Sequence, residues 1–140
     1  DAVRDCYERI TPWMRELFGE FVLEREDSPG FAVMVGSAIA HVLVLPYGDD
    51  AIITTRAFVA TRPRLEPELF GYLLHQNANL IFGAFGLDEE GDVVYDHSIL
   101  GSRCDKDQLR ASVLGVVLAA DRFDDEIVRR WGGTRAIDDD

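Results

Sequence analysis

Three histidines, two cysteines, a serine that directly follows a histidine and a run of acids are the side chains that could do chemistry in this 140-residue chain. His41, His75 and His97 would suit a metal or a general base. Ser98, next to His97, would suit a nucleophile. Asp88, Glu89, Glu90 and Asp92 would suit calcium, and Cys6 with Cys104 a thiolate site or a bridge. The spacing supports none of these. No histidine has a metal-ligating partner three or four residues away, the separation that puts two ligands on one helix face. Ser98 and His97 are neighbours in a strand-like run, so their side chains leave on opposite faces and cannot meet. No GxSxG turn presents a nucleophile. The acids lack the alternation and the distal glutamate of an EF-hand loop. Gly83, Gly86, Gly91 and Gly101 match no phosphate-binding GxxxxGK[ST] pattern. No CxxC or Cys/His spacing suggests zinc. Two reduced, incidental thiols are expected, with a Cys6–Cys104 bridge as the alternative. No catalytic residue, metal ligand set or cofactor is therefore expected.

The elements carrying these residues can be read from apolar spacing. Val3, Cys6, Tyr7, Ile10, Met14, Leu17, Phe18 and Phe21 recur at helical intervals, with Trp13 widening the stripe. They predict a helix over about 2–19, broken near 11, where Pro12 removes a donor and Thr11 offers a cap. "DSPG" (27–30) is a turn. "FAVMV" (31–35), "AIAHVLVL" (38–45) and "AIITTRAFVA" (51–60) read as strands, joined by links short enough to make neighbours antiparallel. "LEPELFGYLLHQN" (65–77) reads as a helix with Pro67 in its first turn and Asn77 at its end. "NLIFGAFGL" and "DVVYDHSIL" give two more strands. Between them "DEEG" (88–91) supplies the acids and the glycine of a bulged hairpin turn, which accounts for the acidic run without a ligand. Asp105 caps the last helix, with Gln108 at the capping-box position and "GG" (132–133) as the stop. The reading is an α+β domain, helix, three strands, helix, two strands, helix. It has a five-stranded, mostly antiparallel sheet packed with helices over 1–133, and a mobile acidic tail over 134–140.

Charge limits the partners. Twenty-six acids stand against 14 bases, a formal net charge of -12. Thirteen of those bases are arginines spread along the chain. Such a surface repels phosphate backbones and anionic lipid, so no nucleic acid is expected. The longest apolar stretch, Phe31–Leu45, is interrupted by Gly36, Ser37 and His41, so no membrane insertion is expected either. No signal peptide is recognised. The start at Asp1 rather than Met is expected of a trimmed chain. A cytoplasmic location is the reading.

"LLHQN" (73–77), "FGAFGLDEEGDV" (82–93), "HSILG" (97–101) and "ADRFDDEI" (120–127) together resemble the YbjN-type family, which is related in fold to the class I type III secretion chaperones. The resemblance spans about 30–130. The hairpin "N..L.FG.FGLD..G.V" and the helix "LRASV...ADR.DDEI" are its most specific parts. It implies an α-β-β-β-α-β-β-α domain, the order already read from the residues, in a small acidic protein that forms homodimers. It brings no catalytic residues. By analogy with the chaperones, Leu69, Phe70, Leu73 and Leu74 of the second helix, with neighbouring strands, are expected at a dimer interface. The chaperones bind an unfolded segment of a partner along apolar patches. Trp13, Met14, Leu17, Phe18 and Phe21 exceed what one narrow core stripe needs. They are the candidate surface for an unidentified protein partner, against the simpler reading that they complete the core. The expected function is a non-enzymatic, homodimeric binding module, chaperone-like or regulatory. A regulatory domain holding a small apolar ligand between sheet and helices is the alternative.

Overall fold

A computed structural model of the chain describes residues 1–139. Helix α1 (Ala2–Phe18) starts where the Asp1 carboxylate accepts the Arg4 amide at 2.8 Å. The expected break near residue 11 does not occur. Pro12 removes the donor that would reach the Glu8 carbonyl, but both residues lie on the exposed face, where water can take up that acceptor. On the opposite face Cys6, Ile10, Thr11, Met14 and Phe18 are buried and hold the helix together across the gap. Thr11 adds a hydroxyl bond of 2.6 Å to the Tyr7 carbonyl.

A single 3-10 turn (Gly19–Phe21) leads into β1 (Val22–Glu24), then β2 (Gly30–Val35), β3 (Ala38–Tyr47) and β4 (Asp50–Ala60). Helix α2 (Pro67–Asn77), β5 (Ala84–Leu87), β6 (Val93–Leu100), helix α3 (Lys106–Trp131) and a 3-10 turn (Ala136–Asp138) complete the order. The sheet is antiparallel and runs β1-β2-β3-β4-β6-β5. Among the described residues it has six strands, not five. The extra edge strand, β1, is three residues long, too short for alternation to announce it after a helical stripe. Strand β5 is also shorter than the expected Asn79–Leu87. Gly83, at φ 100°, turns the chain, and the Tyr95 hydroxyl donates to the Phe82 carbonyl at 2.8 Å, so Phe82 packs on Gly115 of α3 instead of joining the sheet.

One face of the sheet is covered. Phe31, Val33, Ala40, Val42, Val44, Ile53, Thr55, Ala57 and Val59 alternate onto it and are buried beneath α1 and α3. Two clusters fill the space. Cys6, Ile10, Met14 and Phe18 of α1 meet β2–β4 and the first turns of α3. Leu69 and Leu73 of α2 meet Phe85, Tyr95, Phe123, Ile127 and Trp131. Asp105 caps α3 by accepting the Gln108 amide at 2.7 Å, as expected. Of the expected tail, Thr134 bridges to Thr61, and Arg135 pairs with Asp125 and Asp138 at 2.9 and 2.7 Å. Asp140 lies outside the described residues.

A carboxyl cluster fastens the β2–β3 hairpin to α3. The Ser37 hydroxyl stands 3.0 Å from Asp121 Oδ1 and 2.6 Å from Asp124 Oδ2, and the Ser37 amide donates to Asp121 Oδ1 at 2.9 Å. One hydroxyl hydrogen cannot serve two carboxylates. Asp124 is buried and its Oδ1 has no partner, a costly position for a charged oxygen. A protonated Asp124 that donates to Ser37, which donates to Asp121, satisfies the geometry. Burial raises the Asp124 pKa above the ordinary carboxyl value; the Ser37 hydrogen bond pulls it back, and the charges of Asp125 and Asp121 add to the rise. A folded pKa above the unfolded one means that this group's stability is complete below the unfolded value and is lost as pH rises through the folded value. Thermal melts should therefore show Asp124→Asn more stable than wild type at pH 8, with the difference vanishing or reversing at pH 4. A lower melting temperature for the variant at pH 8 would contradict a neutral Asp124.

Candidate functional site

The side chains that could do chemistry are held apart. His41 lies on the uncovered sheet face with Nδ1 3.2 Å from Arg25 Nη1, so that nitrogen accepts and the ring is neutral. Burial, then Arg25, lower its pKa. His97 points the other way. Its Nδ1 is 2.7 Å from the Ser112 hydroxyl and its ring meets Phe82 edge-on at 5.9 Å. Burial lowers its pKa against the opposing pull of Asp96. Ser98 is outward, 2.9 Å from the Thr54 hydroxyl. His75 is exposed on α2.

Two of the acids of the β5–β6 turn, Asp88 and Asp92, are taken up by backbone amides, while Glu89 and Glu90 are exposed. Asp88 Oδ1 accepts the amides of Glu90 and Asp92 at 3.0 and 2.9 Å, and Asp92 accepts the Arg62 amide at 2.8 Å. Gly91, at φ 82°, closes the reversal. Among the described residues no three His, Cys, Asp or Glu side chains are placed to hold a metal. Cys6 and Cys104 are free and buried, and burial pushes the Cys104 thiol up to about 11. Both thiols are thus kept protonated and poorly nucleophilic at neutral pH.

What remains is apolar surface. The first-helix stripe divides. Met14 and Phe18 are fully packed inside. Trp13 and Leu17 are half-buried at the rim, Trp13 with the Arg9 guanidinium 5.7 Å from its ring. Phe21 is 53% exposed. Trp13 and Leu17, one turn apart, share one side of α1, and past the helix end exposed Phe21 and Leu23 of β1 follow along the chain. The second-helix set divides too. Leu69 and Leu73 are buried, whereas Phe70 is exposed and Leu74 is 70% exposed. Phe70, Leu74, Phe85 and Leu87 border an apolar groove of about 200 Å³ between α2 and β5. The uncovered sheet face adds exposed Met34, Leu45 and Leu100 on either side of the Arg56–Asp96 ion pair, whose Nε–Oδ2 distance is 2.8 Å. Strand alternation places Leu45 and Leu100 outward. The sequence did not reveal that, among the described residues, no α-helix covers that face and only the 3-10 turn Ala136–Asp138 approaches it.

No helix among the described residues is long and apolar enough to cross a membrane. A family model described as T3SS (YopN, CesT) and YbjN peptide-binding chaperone 1 matches residues 5–139. Among curated protein sequences none matches. Solved structures that share the fold include chains of two complexes. A chain of the ExsC–ExsE complex superposes with a TM-score of 0.67 at 16% identity, covering 91% of this chain and 96% of that one. A chain of the HopA1–SchA chaperone–effector complex superposes with a TM-score of 0.61 at 14% identity, covering 94% and 97%.

Proposed function

Since the chain belongs to the TY-Chap1 family of peptide-binding chaperones, a family of binding proteins and not of enzymes, we propose that it acts as a cytoplasmic homodimer that holds an extended or helical segment of a partner polypeptide on apolar surface. The observation that carries this reading is the apolar rim of half-buried Trp13 and Leu17 on α1 with exposed Phe21 in the turn that follows. A large aromatic left half in water gains by desolvation when a partner's apolar side chain covers it, and aromatic anchors of this kind carry most of the energy at binding surfaces. The net charge of -12 favours partner segments that are basic or neutral and keeps the free protein soluble despite that surface. Peptides selected on the immobilised full chain from a random dodecapeptide library should bind saturably and carry apolar residues flanked by Lys or Arg. A library that yields no binder contradicts the reading.

The dimer is assigned to α2 and the β5 edge, where Phe70, Leu74 and Leu87 are exposed together. Light scattering should give twice the 15.7 kDa chain mass, and Leu74→Glu should halve it while leaving the circular dichroism spectrum unchanged. Wild-type protein that stays at the single-chain mass at tens of micromolar would refute the dimer.

A further inference from the structure

The uncovered sheet face is not uniform. Across its middle the register sets His41, Arg56 and Asp96 side by side on β3, β4 and β6. Two residues along, the row is apolar. Met34 pairs with Ile39 and Phe58 with Val94, and the β3–β4 register carried one step on sets Ile39 beside Phe58. The segment that follows α3 lies over this row. Gly132 and Gly133, at φ 81° and 85°, turn the chain away from the helix. A Cβ on Gly133 would stand 2.3 Å from the Thr61 carbonyl oxygen, so only glycine passes there. Thr134 and Thr61 then exchange both backbone hydrogen bonds, at 2.9 and 3.0 Å. The turn Ala136–Asp138 packs on β3 and β4. Arg135 clasps the segment to Asp125 of α3 at 2.9 Å and to its own Asp138 at 2.7 Å, and Asp139 reaches Arg62 at 3.6 Å.

The hold is light. No residue from Gly132 to Asp139 is buried. The carboxylates of the clasp are exposed, so salt screens these ion pairs and each adds little. A segment held in this way opens locally at small cost. The fit is also incomplete. Ile39 and Phe58 of the sheet and Ala136 and Asp139 of the segment border a cavity of about 310 Å³. Ala136 is too small to fill it, and Ile137, the large apolar side chain of the segment, is 56% exposed. We propose that Thr134–Asp139 is a detachable strap, an internal occupant that covers the apolar row at Ile39 and Phe58 until a client segment displaces it. The proposal rests on the peptide-binding reading and adds to it a second, gated seat. The strap itself shows that the seat accepts polypeptide. Arg62 stands there against Glu90 and Asp92, both signs together, so apolar contact and not charge selects the occupant. The displacing segment carries an aliphatic or aromatic side chain larger than alanine, which gains the contacts that Ala136 leaves unmade.

The test uses the full chain. Arg135→Glu turns both ion pairs of the clasp into repulsions and touches no core residue. Adding Asp125→Arg restores one pair with its signs exchanged. The amides of Thr61 and Thr134, which form the bridge, should exchange with solvent roughly tenfold faster or more in Arg135→Glu, with the amides of β2 and β3 unchanged, and the double variant should return toward the wild-type rate. Dodecapeptide selection on Arg135→Glu should yield, besides the peptides found on wild type, a class that binds the variant about tenfold more tightly than wild type and loses that preference when Met34→Glu is added. Unchanged exchange at Thr134 in Arg135→Glu would overturn the strap. Faster exchange with no peptide that prefers the variant would overturn the gated seat and leave the peptide-binding reading standing, since peptides selected on wild type report on α1. A library with no binder on either chain would remove both.

Discussion

Trp131→Ala should lower the unfolding free energy by about 3–5 kcal/mol, the usual cost of deleting a fully packed large aromatic. Trp131 is the last residue of α3 and is 1% exposed. Its ring meets Tyr72 of α2 at 5.2 Å and lies under the Arg130 guanidinium at 4.3 Å. Its carbonyl accepts the Arg64 amide at 2.7 Å, so the same residue ties α2, α3 and the segment after β4. Truncation leaves a cavity where three elements meet, and none can close it without moving the others. Leu118→Ala, on the same helix but 49% exposed, is the control and should cost well under 1 kcal/mol. Urea unfolding of both variants reads the difference. A loss below about 1 kcal/mol for Trp131→Ala would mean that the α2–α3 corner does not depend on this side chain.

Phe21→Glu should weaken the selected peptides on the order of 30-fold, about 2 kcal/mol, with little effect on stability. Phe21 sits in the 3-10 turn between α1 and β1 and is not part of the core, so folding loses little when it becomes polar. Binding loses the aromatic anchor and gains a carboxylate on a surface already rich in acids. Phe21→Leu keeps most of the apolar area and should bind within a few-fold of wild type. Competition by labelled peptide measures all three. Equal affinity of Phe21→Glu and wild type would move the client off α1.

The elements that reverse or start the chain were the most legible in the sequence. Asp105 with Gln108, Pro67, and the acids before Gly91 each have a local physical reason for their places, and the structure puts them there. Where the reading failed, the deciding contact was distant. Pro12 breaks a helix only if its neighbours are free to move, and four buried residues of α1 hold it to the sheet. Phe82 looked like a strand residue because its partner, Gly115, lies on another element. At the candidate surface, apolar periodicity found the stripe from Trp13 to Phe21 but could not divide it. The same spacing that sends Met14 and Phe18 inward leaves Phe21 outside because the helix ends at Phe18. The second-helix set divides for a similar reason, since Leu69 and Leu73, one turn apart, face the core and Phe70 and Leu74 follow them on the other flank. The uncovered sheet face was invisible, since it depends on α1 and α3 both packing on the same side of the sheet.

Calorimetric titration of the selected dodecapeptides into the full chain at several temperatures tests the central claim most directly. Binding on desolvated apolar surface predicts a saturable isotherm whose enthalpy grows more negative with temperature, a negative heat-capacity change. A saturable isotherm whose enthalpy does not vary with temperature would contradict apolar recognition, and the absence of any binding heat at every temperature would contradict a peptide-binding protein altogether.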